Sequence, residues 1–428
     1  MVDFEGYFAR ISEAASDPGL QAAIKKAVNN YERKKEIWIG RLRNIPEMAR
    51  ELEERRRSSL ANLADNVERA VEAMRYNGMN VFTAKTAGEA REIVYGLLGG
   101  EKLVMKVKSL TTEEIGLNEF LQGRGVEVWE TDVGAVLLQL TRGKAAHPTG
   151  LCISTPKEKF AAEFSRMAGR ALGSDPEELV AFIREFVKGK ITKTRVAVSG
   201  ANAITADTGS IYILTNEGND RVVTSWPEKH VVVAGIEKVF PDREAADLYA
   251  RVMPYYTTGG GFTQYVSVIT GISSSSDIER MSVRPACGPG EIDVVLLDNG
   301  RSEMLADQDF KEALVCIKCG ACLLNCPVWN LIAQEYGESV YMGGMGIPWT
   351  LFTAGIEKAA TQAYSCLQCG KCSDVCPMRV DVRRMVQRAR EMSAAVGLVP
   401  EKVKRVKESV LANGTPYSTV QREGGSRP

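Results

Sequence analysis

The residues best equipped for chemistry in this 428-residue chain are its cysteines. Eight of the ten lie in two runs, CIKCGACLLNCP and CLQCGKCSDVCP. The first run carries Cys316, Cys319, Cys322 and Cys326, and the second Cys366, Cys369, Cys372 and Cys376. Each reads C-x2-C-x2-C-x3-C and closes on a proline, Pro327 or Pro377. That is the ligand spacing of 4Fe-4S clusters in bacterial ferredoxins. Iron bridged by sulfide favours soft sulfur donors, so thiolates suit it. In a two-cluster protein the fourth cysteine of each run ligates the other cluster. The expected sets are Cys316, Cys319, Cys322 and Cys376 on one cluster, and Cys366, Cys369, Cys372 and Cys326 on the second. Gly320 and Gly370 sit mid-run, where a missing side chain lets backbone N–H groups approach sulfur. Zinc is the competing reading, but structural zinc sites pair two separated C-x2-C knuckles. Two 4Fe-4S clusters are therefore the expected cofactors, and electron transfer the expected chemistry.

A second group of candidates is polar and more scattered. Lys106, Lys108 and Ser109 precede Thr112, Glu113 and Glu114. Glu130 and Asp132, then Asn202, then Asn216 and Glu217 each follow an expected strand. Open α/β sheets bind ligands beyond the carboxyl ends of their strands. A lysine there can hold a carboxylate, and a glutamate can move a proton. Lys106, Glu113, Glu130 and Glu217 are the candidate catalytic residues. The competing reading makes Thr112 and Glu114 helix caps and residues 216–219 a turn. Of the two histidines, His147 in an expected loop is the better functional candidate, and His230 beside an apolar run reads as structural. Cys152 and Cys287 read as unliganded thiols. A G-x-G-x-x-G after a strand, a P-loop and H-E-x-x-H are all missing, which weakens nucleotide-binding and zinc-hydrolase readings.

These side chains need elements to hold them. Residues 3–77 read as helical, broken at Asp17-Pro18-Gly19. Leu60, Leu63, Val67, Ala70, Val71 and Met74 recur at helical spacing and give one apolar face. The charge run 53–57 reads as a solvated helix surface, with a basic docking patch at Arg55–Arg57 as the sharper alternative. Strands are expected at 80–84, 102–107, 126–129 and 136–140, with helices at 86–98 and 111–122. Such alternation implies a largely parallel sheet covered by helices. Helices follow at 157–172 and 176–187, then strands at 195–199, 210–215, 221–224, 231–236 and 265–270. Residues 272–290 are rich in Ser, Pro and Gly and read as a linker before a last strand at 292–297. Around the cysteine runs, helices are expected at 307–315, 350–364 and 382–395, with a loop at 341–346. The polar tail from Asn413 reads as disordered.

Composition is that of an ordinary globular protein, 44% hydrophobic and 25% charged. Lys plus Arg and Asp plus Glu both number 54, so charge suggests no nucleic-acid partner. Cysteine usage points to a reducing, cytoplasmic setting. Neither a signal peptide nor a membrane-length apolar run is visible, so membrane contact is expected only through a partner.

Three stretches carry a resemblance. They are VKSLTTEEIGLNEFLQGRGVEVWETDVGAVLLQL, VSGANAITADTGSIYILTNEGNDRVVTSWPEKHVVVAGIEKV, and VVLLDNGRSEML leading into the first cysteine run. Together they resemble the lactate utilization protein B family, iron–sulfur proteins with an LUD domain. The resemblance implies an α/β LUD domain, like the ribose-5-phosphate isomerase and CoA-transferase group, followed by an α-helical two-cluster ferredoxin domain. Domains are then expected at 1–78 (N-terminal helical region), 79–290 (LUD domain), 291–400 (ferredoxin domain) and 401–428 (C-terminal tail). It also implies an electron-transfer subunit of a multisubunit oxidoreductase that oxidises a 2-hydroxy acid such as L-lactate to pyruvate and is inactive alone. Expected partners are a flavin dehydrogenase or a cysteine-rich, heterodisulfide-reductase-like subunit, and a second LUD protein. The alternative is an electron wire and docking subunit of another such complex, its LUD domain a scaffold. A CoA-transferase-like enzyme with Glu217 as nucleophile is a third reading. Three positions depart from the family: Ser154 and Cys287 stand where histidines are expected, and Gln368 stands in the second cysteine run where small residues are more usual.

Overall fold

The computed structural model describes residues 2–42 and 44–417. The end of the expected disordered tail, 418–428, lies outside the described residues.

The strands are β1 (Asn80–Ala84), β2 (Leu103–Lys106), β3 (Glu127–Glu130), β4 (Val196–Ser199), β5 (Ala203–Thr205), β6 (Ile211–Thr215), β7 (Lys229–Gly235), β8 (Val239–Phe240), β9 (Tyr265–Ile269) and β10 (Glu291–Leu297). Six make a wholly parallel sheet in the order β1-β10-β7-β4-β2-β3. Both faces are covered, so its strands read as apolar runs rather than as alternating polar and apolar residues. Val231, Val233, Val295 and Leu297 pack with helices Ala87–Leu97 and Leu117–Gly123 on one face. Val232, Ala234, Val294 and Leu296 point the other way, as strand geometry requires, and meet Ala70, Met74 and the second sheet. That second sheet has four strands in the order β8-β5-β6-β9. β10 pairs with both β1 and β7 in the interior of the larger sheet. The sheet domain therefore reaches Leu297, and the expected boundary at 290 falls one strand too early.

The cysteine runs sit among helices, notably Gly343–Ala354, Ile356–Ser365 and Val382–Ala395. One apolar core joins this domain to the sheet domain and to the N-terminal region, with Leu52, Tyr249, Leu314 and Ile317 in common. Among the described residues no helix is long and apolar enough to cross a membrane.

Several expected elements change state. The strand expected at 136–140 is helical, Val133–Thr141, because Asp132 caps it by accepting from the Ala135 N–H. Its buried apolar run has no clear period, and the cap decides. The strand expected at 221–224 belongs to helix Asn219–Ser225. The helix expected over 111–122 is two short helices, parted at Gly116 with φ of 60°. Helix Arg243–Thr258, capped by Asp242, was not expected at all. The loop expected at 341–346 contributes Gly343–Gly346 to a helix. Bare backbone is needed there: a Cβ on Gly346 would lie 2.5 Å from the Tyr341 carbonyl carbon. The expected tail from 401 begins with helix Glu401–Asn413. Nor is 53–57 a solvated surface. Glu53 and Arg56 are buried, and Arg56 donates to the Leu314 carbonyl at 2.7 Å.

Candidate functional site

The two cysteine runs fold alike. Lys318 and Gln368, two residues after the first cysteine of each, have φ of 56° and 53°. That turn aims their N–H groups back at Cys316 and Cys366 Sγ, each at 3.3 Å. Gly320 and Gly370 follow with φ of 79° and 84°, which glycine adopts without steric cost. Cys326 shares a cavity with Cys366, Cys369 and Cys372 of the other run. Cys376 in turn lies close enough to Cys316 and Cys319 for their charges to interact.

This donor set fits two 4Fe-4S clusters. Burial pushes the Cys376 and Cys372 thiols up, to about 11 and about 12, with neighbouring cysteines adding to it. Thiolates there need a cationic metal beside them. Arg56 gives a second test. It is buried near Cys316, and its Nε and Nη1 have no hydrogen-bond partner among the described residues. A cluster ringed by four thiolates is anionic and would supply the countercharge. The runs differ in exposure: Cys319 is buried and Cys369 is exposed.

A polar cavity of about 250 Å³ lies beyond the carboxyl ends of β4 and β6. Lys108, Asp132, Glu217, Asp220 and Asn202 line it from the sheet domain. Ile317 and Lys318 of the first cysteine run also line it. The cavity and the first cysteine group thus share a wall. Lys108 is ion-paired to Asp132 at 2.5 Å and donates to the Thr149 carbonyl at 3.1 Å. Burial raises Glu217 to about 7, helped by the neighbouring Asp132 carboxylate. Burial likewise raises Asp220, whose Oδ1 is unpartnered among the described residues. Lys238, in the 3-10 turn Ile236–Lys238, faces the same cavity. Burial and the nearby Lys318 ammonium lower it to about 7. Among the described residues it has no hydrogen bond or ion pair, so a bound anion would favour its charged form.

Three of the four candidate catalytic residues are not there. Lys106 is fully buried and bonded to Glu130 at 2.7 Å, Glu113 at 3.1 Å and Thr112 at 3.0 Å. Burial alone would lower Lys106, but Glu130 and Glu113 outweigh it and raise it. Their charges are spent on one another, so the set reads as an internal ion cluster. Only Glu217 lines the cavity, joined by Lys108 and Asn202.

A second buried network ties the sheet domain to the first cysteine run. Arg301 bonds Glu114 through two nitrogens, at 2.9 and 2.8 Å, and also bonds Glu237. Glu237 accepts from Lys318 Nζ at 2.7 Å. Glu114 is thus an ion-pair acceptor, not a cap. His147 is buried, lowered to about 4 by burial, and packed against Gly320 and Trp329. His230 is buried, with Nε2 2.7 Å from Ser199 Oγ. Sequence reasoning missed Lys238, Lys318 and Asp220. The one signal at hand was Lys318 itself, a lysine inside a cysteine run.

Comparison with known proteins adds the following. The LUD domain family matches residues 67–297, and the 4Fe-4S dicluster domain family matches 312–380. The chain is 30% identical over 412 residues to lactate utilization protein B of Oceanobacillus iheyensis, covering 95% of this chain and 83% of that protein. It is 30% identical over 423 residues to lactate utilization protein B of Macrococcus caseolyticus, covering 98% and 87%. It is also 29% identical over 410 residues to an uncharacterized electron transport protein, YkgF, of Escherichia coli strain K12, covering 95% and 84%. A solved duf162 family protein from Deinococcus radiodurans superposes with a TM-score of 0.31 at 12% identity, over 55% of this chain and 98% of that one.

Proposed function

This chain belongs to the lactate utilization protein B family of LUD-domain iron–sulfur proteins, and on that premise we propose that it is the electron-transfer subunit of a complex oxidising a small 2-hydroxy acid such as L-lactate to the 2-oxo acid. The observation that carries this reading is the wall shared by the polar cavity and the first cysteine run. A ligand in that cavity rests against the chain segment that would wrap a cluster.

In this reading Cys316, Cys319, Cys322 and Cys376 hold one cluster, and Cys366, Cys369, Cys372 and Cys326 hold the other. The clusters supply one-electron acceptors, and two of them match the two electrons lost by a 2-hydroxy acid. Lys238 holds the carboxylate, since its ammonium alone among the cavity lysines lacks a partner among the described residues. Asn202 offers an amide to the hydroxyl or carbonyl oxygen. Glu217, poised near pH 7, exchanges a proton with it. The cavity volume sits below the usual range for drug-sized ligands, which suits a small acid. Two electrons and two protons must leave the acid together, and no flavin or nicotinamide motif stands in this sequence. A partner subunit supplies that centre, so the work is done in a multisubunit complex.

The test is anaerobic mixing of L-lactate with the purified complex and with the isolated chain, both holding iron. Bleaching of the cluster absorbance in the complex alone supports the reading. An unbleached complex that a different donor reduces would overturn the lactate assignment.

A further inference from the structure

The neighbourhood of Cys316 holds three cations, and their surroundings differ. Lys318, Lys238 and Arg56 all act on its thiol. Lys318 is neutralised by Glu237 at 2.7 Å. Arg56 is sealed in the core at 2% exposure, between the Leu314 carbonyl and the Phe240 ring. Lys238 lines the cavity as Lys318 does, but among the described residues nothing is bonded to its ammonium. One positive charge is therefore available to two negative neighbours: a ligand in the cavity and the cluster held by Cys316.

We propose that Lys238 links the redox state of the cluster at Cys316 to anion binding in the cavity, so that a bound carboxylate lowers the potential of this cluster and its reduction weakens carboxylate binding. The proposal rests on the cavity being a carboxylate site, as proposed above. Its physics is linkage. An electron added to the cluster and a carboxylate added to the cavity both draw on one ammonium, and they repel each other through a dry wall where screening is weak. Whatever the anion does to reduction, reduction must do to the anion by the same factor. The consequence is directional. The oxidised cluster favours occupancy, and electron arrival favours release of the 2-oxo acid. The second cluster lacks this coupling, since its cysteines surround a different cavity, and the cation lining that one, Arg383, does not line the anion cavity.

Pyruvate is the probe, used on the anaerobically purified chain with both clusters in place. Calorimetry should show pyruvate binding the oxidised protein about fivefold or more tighter than the dithionite-reduced protein. Paramagnetic-resonance redox titration should show the cluster at Cys316 shifting to lower potential with pyruvate, and the other holding still. Lys238→Met should lower the potential without pyruvate and remove the further shift. Lys238→Arg, which keeps the charge, should retain it, and iron content reports whether either variant has folded. Should Lys238→Met lose iron, a shift in wild type and Lys238→Arg, absent when propionamide replaces pyruvate, still supports the link. Pyruvate binding with equal affinity to both redox states overturns the linkage and leaves the cavity reading intact. No pyruvate binding at all overturns both.

Discussion

Lys318 of the first cysteine run reaches 2.7 Å to Glu237 of the sheet domain, and both side chains are buried. Glu237 also bonds Arg301, so one carboxylate serves two buried cations from different parts of the chain. Removing its charge leaves Lys318 without a carboxylate partner and Arg301 with Glu114 alone. Glu237→Gln should therefore destabilise the iron-loaded protein by about 3–5 kcal/mol, the usual cost of breaking a buried pair. Denaturant unfolding under anaerobic conditions measures it. A loss under about 1 kcal/mol, the range of a surface pair, would mean the network is not holding the domains.

The same network gives a pH dependence. Burial alone would raise Glu114 and Glu237, but Arg301 outweighs it and holds both below the ordinary carboxylate range. A group lowered in the folded state contributes stability that is present above its unfolded pKa and is lost as pH falls through its folded one. The protein should hold this stability at neutral pH and lose it progressively below about pH 4.5. Acid titration of Glu237→Gln should show a shallower loss than wild type.

Glu217 works with the opposite sign. Its folded pKa is raised to about 7, so its stabilising contribution is complete below about pH 4.5 and lost as pH climbs through 7. Ionised Glu217 also repels an anion in the cavity. Pyruvate affinity should fall across pH 6 to 8 in wild type as Glu217 ionises and Lys238 loses its proton, and Glu217→Gln should make that fall shallower. An unchanged slope in the mutant would assign the titration elsewhere.

Cys326 faces the three leading cysteines of the other run. Cys326→Ser should therefore alter the paramagnetic spectrum of the cluster held by Cys366, Cys369 and Cys372, and leave the one at Cys316 untouched. Iron analysis of wild type should approach eight per chain. A spectral change confined to the cluster at Cys316 would refute the crossed ligand sets.

Gly320 and Gly370 are equivalent in sequence and in φ, yet their surroundings differ. A Cβ on Gly320 would lie 2.0 Å from His147 Nε2, while one on Gly370 would meet nothing within 4 Å. Both Gly→Ala changes carry the left-handed penalty of roughly 1–2 kcal/mol. Gly320→Ala should cost clearly more and impair iron loading. Adding His147→Ala should recover part of that loss. Equal costs at the two sites would remove His147 from the cluster wall.

Lys106 and Lys108 separate structure from site. Lys106→Met leaves Glu130 buried without its cation and should cost about 3–5 kcal/mol. Lys108 lines the cavity and pairs with buried Asp132, so Lys108→Met should also cost stability but, unlike Lys106→Met, should weaken pyruvate binding in the protein that remains folded. The reverse pattern would return Lys106 to the site.

Sequence by itself determined what depends on short covalent spacing. The two cysteine runs, the glycines within them and helix 382–395 could be read directly, because the residues that matter lie within a turn or two of each other. The parallel sheet was legible too, since strands covered on both faces must be apolar along their length. Only the tertiary structure decided what depends on distant partners. β10 looked like a leader to the cysteine domain and lies inside the sheet, because pairing with β1 and β7 joins segments far apart in sequence. The apolar run after Asp132 fits a strand or a helix until its cap and its packing choose. Two lysines, each just at or after the end of a strand, look alike on the page. Lys106 spends its charge on Glu130 and Glu113, while Lys238, nowhere near it in sequence, faces the cavity with no partner among the described residues. Residue type says which charges exist, and packing over long separations decides which of them stay free to act.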